Sequence, residues 1–166
     1  NGIIVGAVRR CLIEDCVASG NGWDMPRKGN GPAGIWAWNA DAVTIERCIS
    51  HDNKTSPGSG DGGGFDLDGG VTNSVIQHCL AYCNAGAGFY VCQYPTAPPF
   101  GGNVIRCNVA VDNLCGLLVW AAPRERIGGC DFDHNVVVQR GGKEAFQVWE
   151  AERVEAITFR NNVFLC

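Results

Sequence analysis

Along this chain, apolar residues fall at alternate positions in short runs bounded by Gly, Asn and Asp. Ile35 and Ala37, Phe65 and Leu67, Phe89 and Val91, Leu117 and Val119, and Phe146 and Val148 each flank one outward residue. A spacing of two predicts strands with one buried face, whereas an amphipathic helix needs apolar residues about every 3.6 positions. A second set of segments aligns without gaps: Ile13-Glu14-Asp15-Cys16-Val17, Ile45-Glu46-Arg47-Cys48-Ile49, Ile76-Gln77-His78-Cys79-Leu80, Ile105-Arg106-Cys107-Asn108-Val109, Phe132-Asp133-His134-Asn135-Val136 and Phe159-Arg160-Asn161-Asn162-Val163. Its fourth position recurs after 32, 31, 29, 27 and 27 residues, and five residues beyond it stand Asn21, Asn53, Asn84 and Asn113.

A unit of this length, built of short strands with Asn or Gly at the bends, describes one coil of a solenoid. Asn suits tight bends because it tolerates left-handed backbone, and stacked amides can hydrogen-bond from coil to coil. The pattern resembles right-handed parallel β-helix proteins of the pectate-lyase and polygalacturonase type over nearly the whole chain. The expected fold is therefore all-β, a right-handed parallel β-helix of about five to six coils. Residues 1–166 are expected to form a single domain of that kind, as a whole or as a piece of a longer β-helix.

The stretch Gly62-Gly63-Gly64-Phe65-Asp66-Leu67-Asp68-Gly69-Gly70 stands out within this frame. Phe65 and Leu67 point inward, so Asp66 and Asp68 project side by side, with Cα atoms roughly 6.6 Å apart. Like charges at that range raise each other's pKa. Three readings are open for the pair: catalytic acid and base, a calcium site completed by Asp61, or turn supports that accept hydrogen bonds from backbone amides. The outward column through Asp66 holds Trp36, Tyr90, Leu118 and Gln147, and the column through Asp68 holds Trp38, Cys92, Trp120 and Trp149. Exposed aromatic faces suit sugar rings, although overlying loops or another subunit can equally cover such residues. Insertions at 22–33 and 54–63 precede the Asp-bearing strand in its coil, and those at 93–102, 121–129 and 150–155 follow the equivalent strands. Walls are expected on both sides of one face, with Arg124 and Glu150 at their mouths.

Composition narrows the picture. The chain has 166 residues, enough for one core, and a formal net charge of −4, which argues against nucleic acid or an anionic membrane surface as partner. Ten cysteines invite a disulfide framework or a metal site. However, Cys16, Cys48 and Cys79 fill the bend column that Asn fills later, which suits buried thiols packing as small apolar groups. A stacked pair would still lie within disulfide reach. His78, Cys79 and Cys83 do not make a zinc site, because neighbours on a strand face opposite ways.

The resemblance implies a carbohydrate-active protein, and such β-helices divide into hydrolases that use paired carboxyls and lyases that use calcium and a basic residue. The Gly-His-Gly and Asn-Thr-Asp motifs of polygalacturonases are absent. The Asp pair favours a glycoside hydrolase acting on a polysaccharide or oligosaccharide, with Asp66 and Asp68 catalytic. Trp36, Trp38, Tyr90, Trp120, Trp149, Arg124 and Glu150 would bind substrate. No cofactor is required on this reading, and calcium at Asp61, Asp66 and Asp68 belongs to the lyase alternative. A non-catalytic glycan-binding or assembly module is the other alternative. Secretion or a periplasmic location is usual for the class. The sequence opens within a first coil and closes on Val163-Phe164-Leu165-Cys166 with no polar capping segment at either end, so a piece of a longer β-helix or a homo-oligomer that buries its coil ends is expected.

Overall fold

A computed structural model of the protein describes residues 1–23, 32–56 and 61–166. The alternating runs form three parallel sheets of six strands each. The first sheet contains β1 (Ile3–Gly6), β4 (Ile35–Trp38), β7 (Phe65–Leu67), β10 (Phe89–Gln93), β13 (Leu117–Ala121) and β16 (Phe146–Trp149). The second contains β2 (Arg9–Glu14), β5 (Asp41–Glu46), β8 (Val75–Gln77), β11 (Asn103–Arg106), β14 (Ile127–Asp133) and β17 (Val154–Arg160). The third contains β3 (Val17–Ser19), β6 (Ile49–His51), β9 (Leu80–Tyr82), β12 (Val109–Val111), β15 (Val136–Val138) and β18 (Val163–Leu165). Each strand pairs with its counterpart one coil away. The result is a right-handed parallel β-helix, the hand that strand twist imposes on parallel crossovers. One 3₁₀ turn, Ala151–Arg153, is the only helical segment among the described residues, and no helix is long and apolar enough to cross a membrane.

The core is the stack of inward columns. Phe65 and Phe89 stack with ring centroids 5.1 Å apart, and Phe132 and Phe159 do so at 4.9 Å. Ile35, Ile45, Ile76, Ile105, Leu117 and Val119 are fully buried between the three sheets. On the terminal coils Ile4, Leu12, Val17, Val163 and Leu165 are exposed.

Asn does occupy the bends, although the left-handed backbone does not belong to it. At the first bend the left-handed residue is the one before the Asn or Cys: Asp15, Arg47, His78, Cys107, His134 and Asn161 have φ between 51° and 54°. His78 is thus a corner residue rather than a strand neighbour of Cys79. The Asn side chain turns inward and satisfies the backbone that the corner leaves unpaired. Asn108 donates to Ile76 O, Asn135 to Ile105 O and Asn162 to Phe132 O. Each Oδ1 accepts the backbone N–H of the preceding coil, as from Cys79 to Asn108 at 2.9 Å and from Asn108 to Asn135 at 3.1 Å. Cys48 and Cys79 occupy the same post, their thiols 3.7 Å from Ile13 O and Ile45 O but nearer, at 3.2 Å, to Glu46 O and Gln77 O of their own coil.

A second amide ladder runs Asn21, Asn53, Asn84, Asn113, Gln139, each side-chain oxygen taking the backbone N–H one coil earlier. Such ladders fix the register of each coil on the next, since a slipped coil would leave several buried polar groups unpaired at once.

All ten cysteines are free thiols. Burial pushes the thiols of Cys79 and Cys115 up to about 12, out of the reactive range. A disulfide-exchange reagent added to the native protein should label the exposed Cys83, Cys107 and Cys166 first, and should reach Cys48, Cys79, Cys115 and Cys130 only on unfolding. Rapid native labelling of Cys79, read by peptide mapping, would contradict the bend-column assignment.

Candidate functional site

The site lies on the outer face of the first sheet. Trp36, Asp66, Tyr90, Leu118 and Gln147 stand in register as neighbours across β4, β7, β10, β13 and β16. The next outward column carries Trp38, Cys92, Trp120 and Trp149. Asp68 lies one residue past the end of β7 and keeps the strand's direction, its N–H bonded to Ala37 O at 2.8 Å. Both columns therefore sit where the alternation puts them.

Their exposure differs from the expected open aromatic floor. Tyr90 is buried rather than presented as a platform, and Leu118 is wholly inaccessible. With Ala87, Cys92 and Cys115 these two make a small apolar cluster outside the main core, against which Trp120 packs. Trp36 and Trp120 are half-buried, and the Trp36 indole N–H donates to Asn1 Oδ1 at 3.1 Å. Trp38 and Trp149 are the aromatic residues of these columns with open faces, at 37% and 36% exposure. Aromatic contact surface is thus placed at the ends of the sheet, with a closed centre.

Loops after the strands build a wall beside this face. The wall includes Tyr94 and Ala97, which crowd the Gly69 corner so closely that a Cβ on Gly69 would lie 2.6 Å from each. Gln93 holds the turn by accepting from Gly70 N–H and donating to Pro98 O at 2.9 Å. Thr96 N–H donates to Glu125 Oε1 at 2.8 Å, which ties this loop to the next one. Arg124 is exposed in that second loop, and the exposed Glu150 pairs with Arg153 at 3.2 Å. Among the described residues, the groups that act on the Asp pair are Asp61, Gly69 and Cys92, and neither Arg124 nor Glu150 is one of them. For the wall expected on the opposite side, residues 24–31 and 57–60 lie outside the described residues.

The chemistry concentrates at Asp66, Asp68 and Cys92, whose ligand-capable atoms all lie within 4.8 Å of one another. Asp66 is 7% exposed, and its Oδ1 has no hydrogen-bond partner among the described residues. Asp68 is half-buried, its Oδ1 accepting from Gly69 N–H at 2.7 Å and from the Cys92 thiol. Burial first, then the nearby Asp68 and Asp61, holds the Asp66 carboxyl well above the usual carboxylate range. Burial also raises Asp68, and the Cys92 and Gly69 hydrogen bonds oppose that rise. The Cys92 thiol is pushed far up by burial and by the two carboxyls. Tyr94, raised by burial and by Asp68, marks the outer side of the cluster.

Cys92 and Tyr94 were not among the sequence-derived site residues. The outward alternation does put Cys92 in the Asp68 column, but a thiol there reads first as filler. Tyr94 follows β10, where no periodicity fixes direction. Asp61, expected as a third oxygen ligand, contributes through its charge and not as one of the three converging donors.

A family described as the right handed beta helix region matches residues 1–164. The chain belongs to that family. No curated protein and no solved structure matches the chain. The family fixes the architecture of this β-helix and assigns no chemistry to the Asp pair.

Proposed function

We propose that this β-helix acts on a polysaccharide as a glycoside hydrolase, with Asp66 as proton donor and Asp68 as its carboxylate partner. The supporting observation is one pair of carboxyls in unequal surroundings: Asp66 is buried with an unpartnered oxygen, while Asp68 is half-buried and accepts two hydrogen bonds. Environments that push two titratable groups apart separate acid from base. The neutral Asp66 would deliver its proton to the leaving glycosidic oxygen as the C–O bond breaks. The ionised Asp68 would support positive charge developing at the anomeric carbon until water adds there, and the proton that water releases would restore the Asp66 acid. Trp38 and Trp149 offer flat apolar faces to sugar rings on either side.

A second reading, a glycan-binding module without turnover, draws support from the closed centre of the sheet, where Tyr90 and Leu118 shut out solvent. One experiment separates the two. A glycan panel is screened for binding and for product release with wild type, Asp66→Asn and Asp68→Asn, with and without a chelator. Hydrolysis predicts product release that falls by roughly 10²–10⁴ in either variant while binding persists. Binding without product in all three proteins would leave the module reading. Release that is unchanged in both variants would sink the assignment of the Asp pair.

A further inference from the structure

Three groups able to bind a cation converge outside the main core. Asp66 is more than nine-tenths buried, its Oδ1 meets no donor among the described residues, and it lies with Asp68 and Cys92 inside one 4.8 Å cluster. A buried carboxyl oxygen without a partner costs stability. A fold normally meets such a group with an amide or a hydroxyl, and among the described residues none reaches this oxygen. The cluster is held rigidly: Asp66 pairs with Trp36 on one side and Tyr90 on the other, and Cys92 is fixed within the five-residue pairing of β10 with β13. Gly69 N–H and the Cys92 thiol both point at Asp68 Oδ1, which orients that carboxylate.

From this geometry we propose that Asp66, Asp68 and Cys92 form a binding site for a thiophilic divalent cation of the zinc type. Two carboxylate oxygens and one thiolate are a suitable three-ligand set for such an ion, which leaves a fourth position for water on the half-open Asp68 side. Calcium fits less well, because it takes about six to eight oxygens and no sulfur. Among the described residues this cluster offers two carboxylates and a thiol. Binding displaces the Cys92 thiol proton, and the Asp66 proton where the carboxyl is still protonated, so affinity rises with pH. The buried dication then compensates negative charges that otherwise oppose one another. The site shares both carboxyls with the proposed hydrolase pair but does not depend on that reading. An ion seated here would hold Asp66 deprotonated and so block its use as an acid.

The test needs no glycan. Cysteines exposed on the native surface are first removed as Cys83→Ser, Cys107→Ser and Cys166→Ser, so that they cannot supply the signal. Cd²⁺ and Co²⁺ are then titrated into this protein while thiolate-to-metal charge-transfer absorption is followed. One equivalent should saturate the band, with tighter binding at higher pH. Cys92→Ser should abolish the band, and Asp66→Asn should weaken binding by at least about tenfold while circular dichroism stays unchanged. A band that survives Cys92→Ser, or an affinity indifferent to Asp66→Asn, would overturn the proposal. Asp66→Asn is nearly isosteric and removes a buried ionisable group, so it keeps the test decisive if Cys92→Ser does not fold. Product release is read on the metal-free protein in the chelator arm of the glycan screen, so failure of the hydrolase reading leaves this result interpretable.

Discussion

Replacing Asn84 by Ala should cost about 3–5 kcal/mol, among the largest effects available to a single substitution in this fold. The Asn84 side chain closes two coil junctions at once. Its Oδ1 accepts from the N–H and the Nδ2 of Asn53, at 3.1 and 2.8 Å, and its Nδ2 donates to Ser50 O and to Asn113 Oδ1, at 3.0 and 2.7 Å. Both Asn84 and its neighbour Asn53 are buried, so no water stands ready to replace the lost partners. Removing the amide orphans the Asn53 N–H, at about 1–3 kcal/mol, and takes further bonds, worth about 1 kcal/mol each, from groups that keep another partner, such as Asn53 Nδ2 on Ser50 Oγ and Asn113 Oδ1 on the Asn84 N–H. Urea unfolding should show a lower midpoint at unchanged slope. Asn21→Ala, at the half-buried first rung, removes one side-chain bond, from Nδ2 to Asn53 Oδ1 at 2.8 Å, and should cost about 1 kcal/mol. Equal losses at the two positions would refute the ladder as the source of register.

Asp66→Asn should stabilise the protein near neutral pH by about 1–3 kcal/mol, a rise of several degrees in Tm, even as it removes the proposed proton donor. The folded protein holds the Asp66 proton more tightly than the unfolded chain does, because burial and neighbouring carboxyls oppose the charge. A carboxyl raised in this way contributes its full stability below its unfolded value of about 3.9 and loses that contribution as pH rises through the folded value. Asp68 is raised too and acts in the same direction. Wild-type stability at this site therefore declines from about pH 4 upward, whereas the amide does not titrate. The gap between Asp66→Asn and wild type should be widest at neutral to mildly alkaline pH and should close toward pH 4. Asp41, Glu46, Asp112 and Asp133, whose carboxyls are lowered by hydrogen bonds and ion pairs on the surface, act in the opposite sense in both proteins and cancel in the comparison. A gap that is constant with pH would mean that the Asp66 carboxyl titrates alike in the folded and unfolded protein and is not raised by burial. A destabilised variant would mean that its carboxyl has a partner. Stability sacrificed at one buried acid is the usual mark of a functional group.

Much of this was readable from the chain. The coil spacing, the inward columns and both outward columns follow from a strand period of two, which leaves no freedom once one member of a ladder is placed. The bend columns were readable for the same reason, since Cys48, Cys79, Asn108 and Asn135 recur at one phase of the repeat. Which residue of the bend takes the left-handed backbone was not readable. Asp15, Arg47, His78 and Cys107 share no side-chain signature, because the corner tolerates any residue once the following amide or thiol has satisfied the turn.

The sequence by itself determined the architecture and the neighbours of Asp66 and Asp68, because repetition turns local alternation into long-range register. The tertiary structure alone decided how wet that face is. Tyr90 and Leu118 stand in outward positions just as Trp38 and Trp149 do, yet the first two are sealed and the last two are open. Exposure on an outer face depends on what packs over it, and strand periodicity carries no information about that. The same burial leaves Asp66 Oδ1 without a partner and sets Cys92 beside two carboxyls. An unusual outward strand thereby becomes a site with testable chemistry.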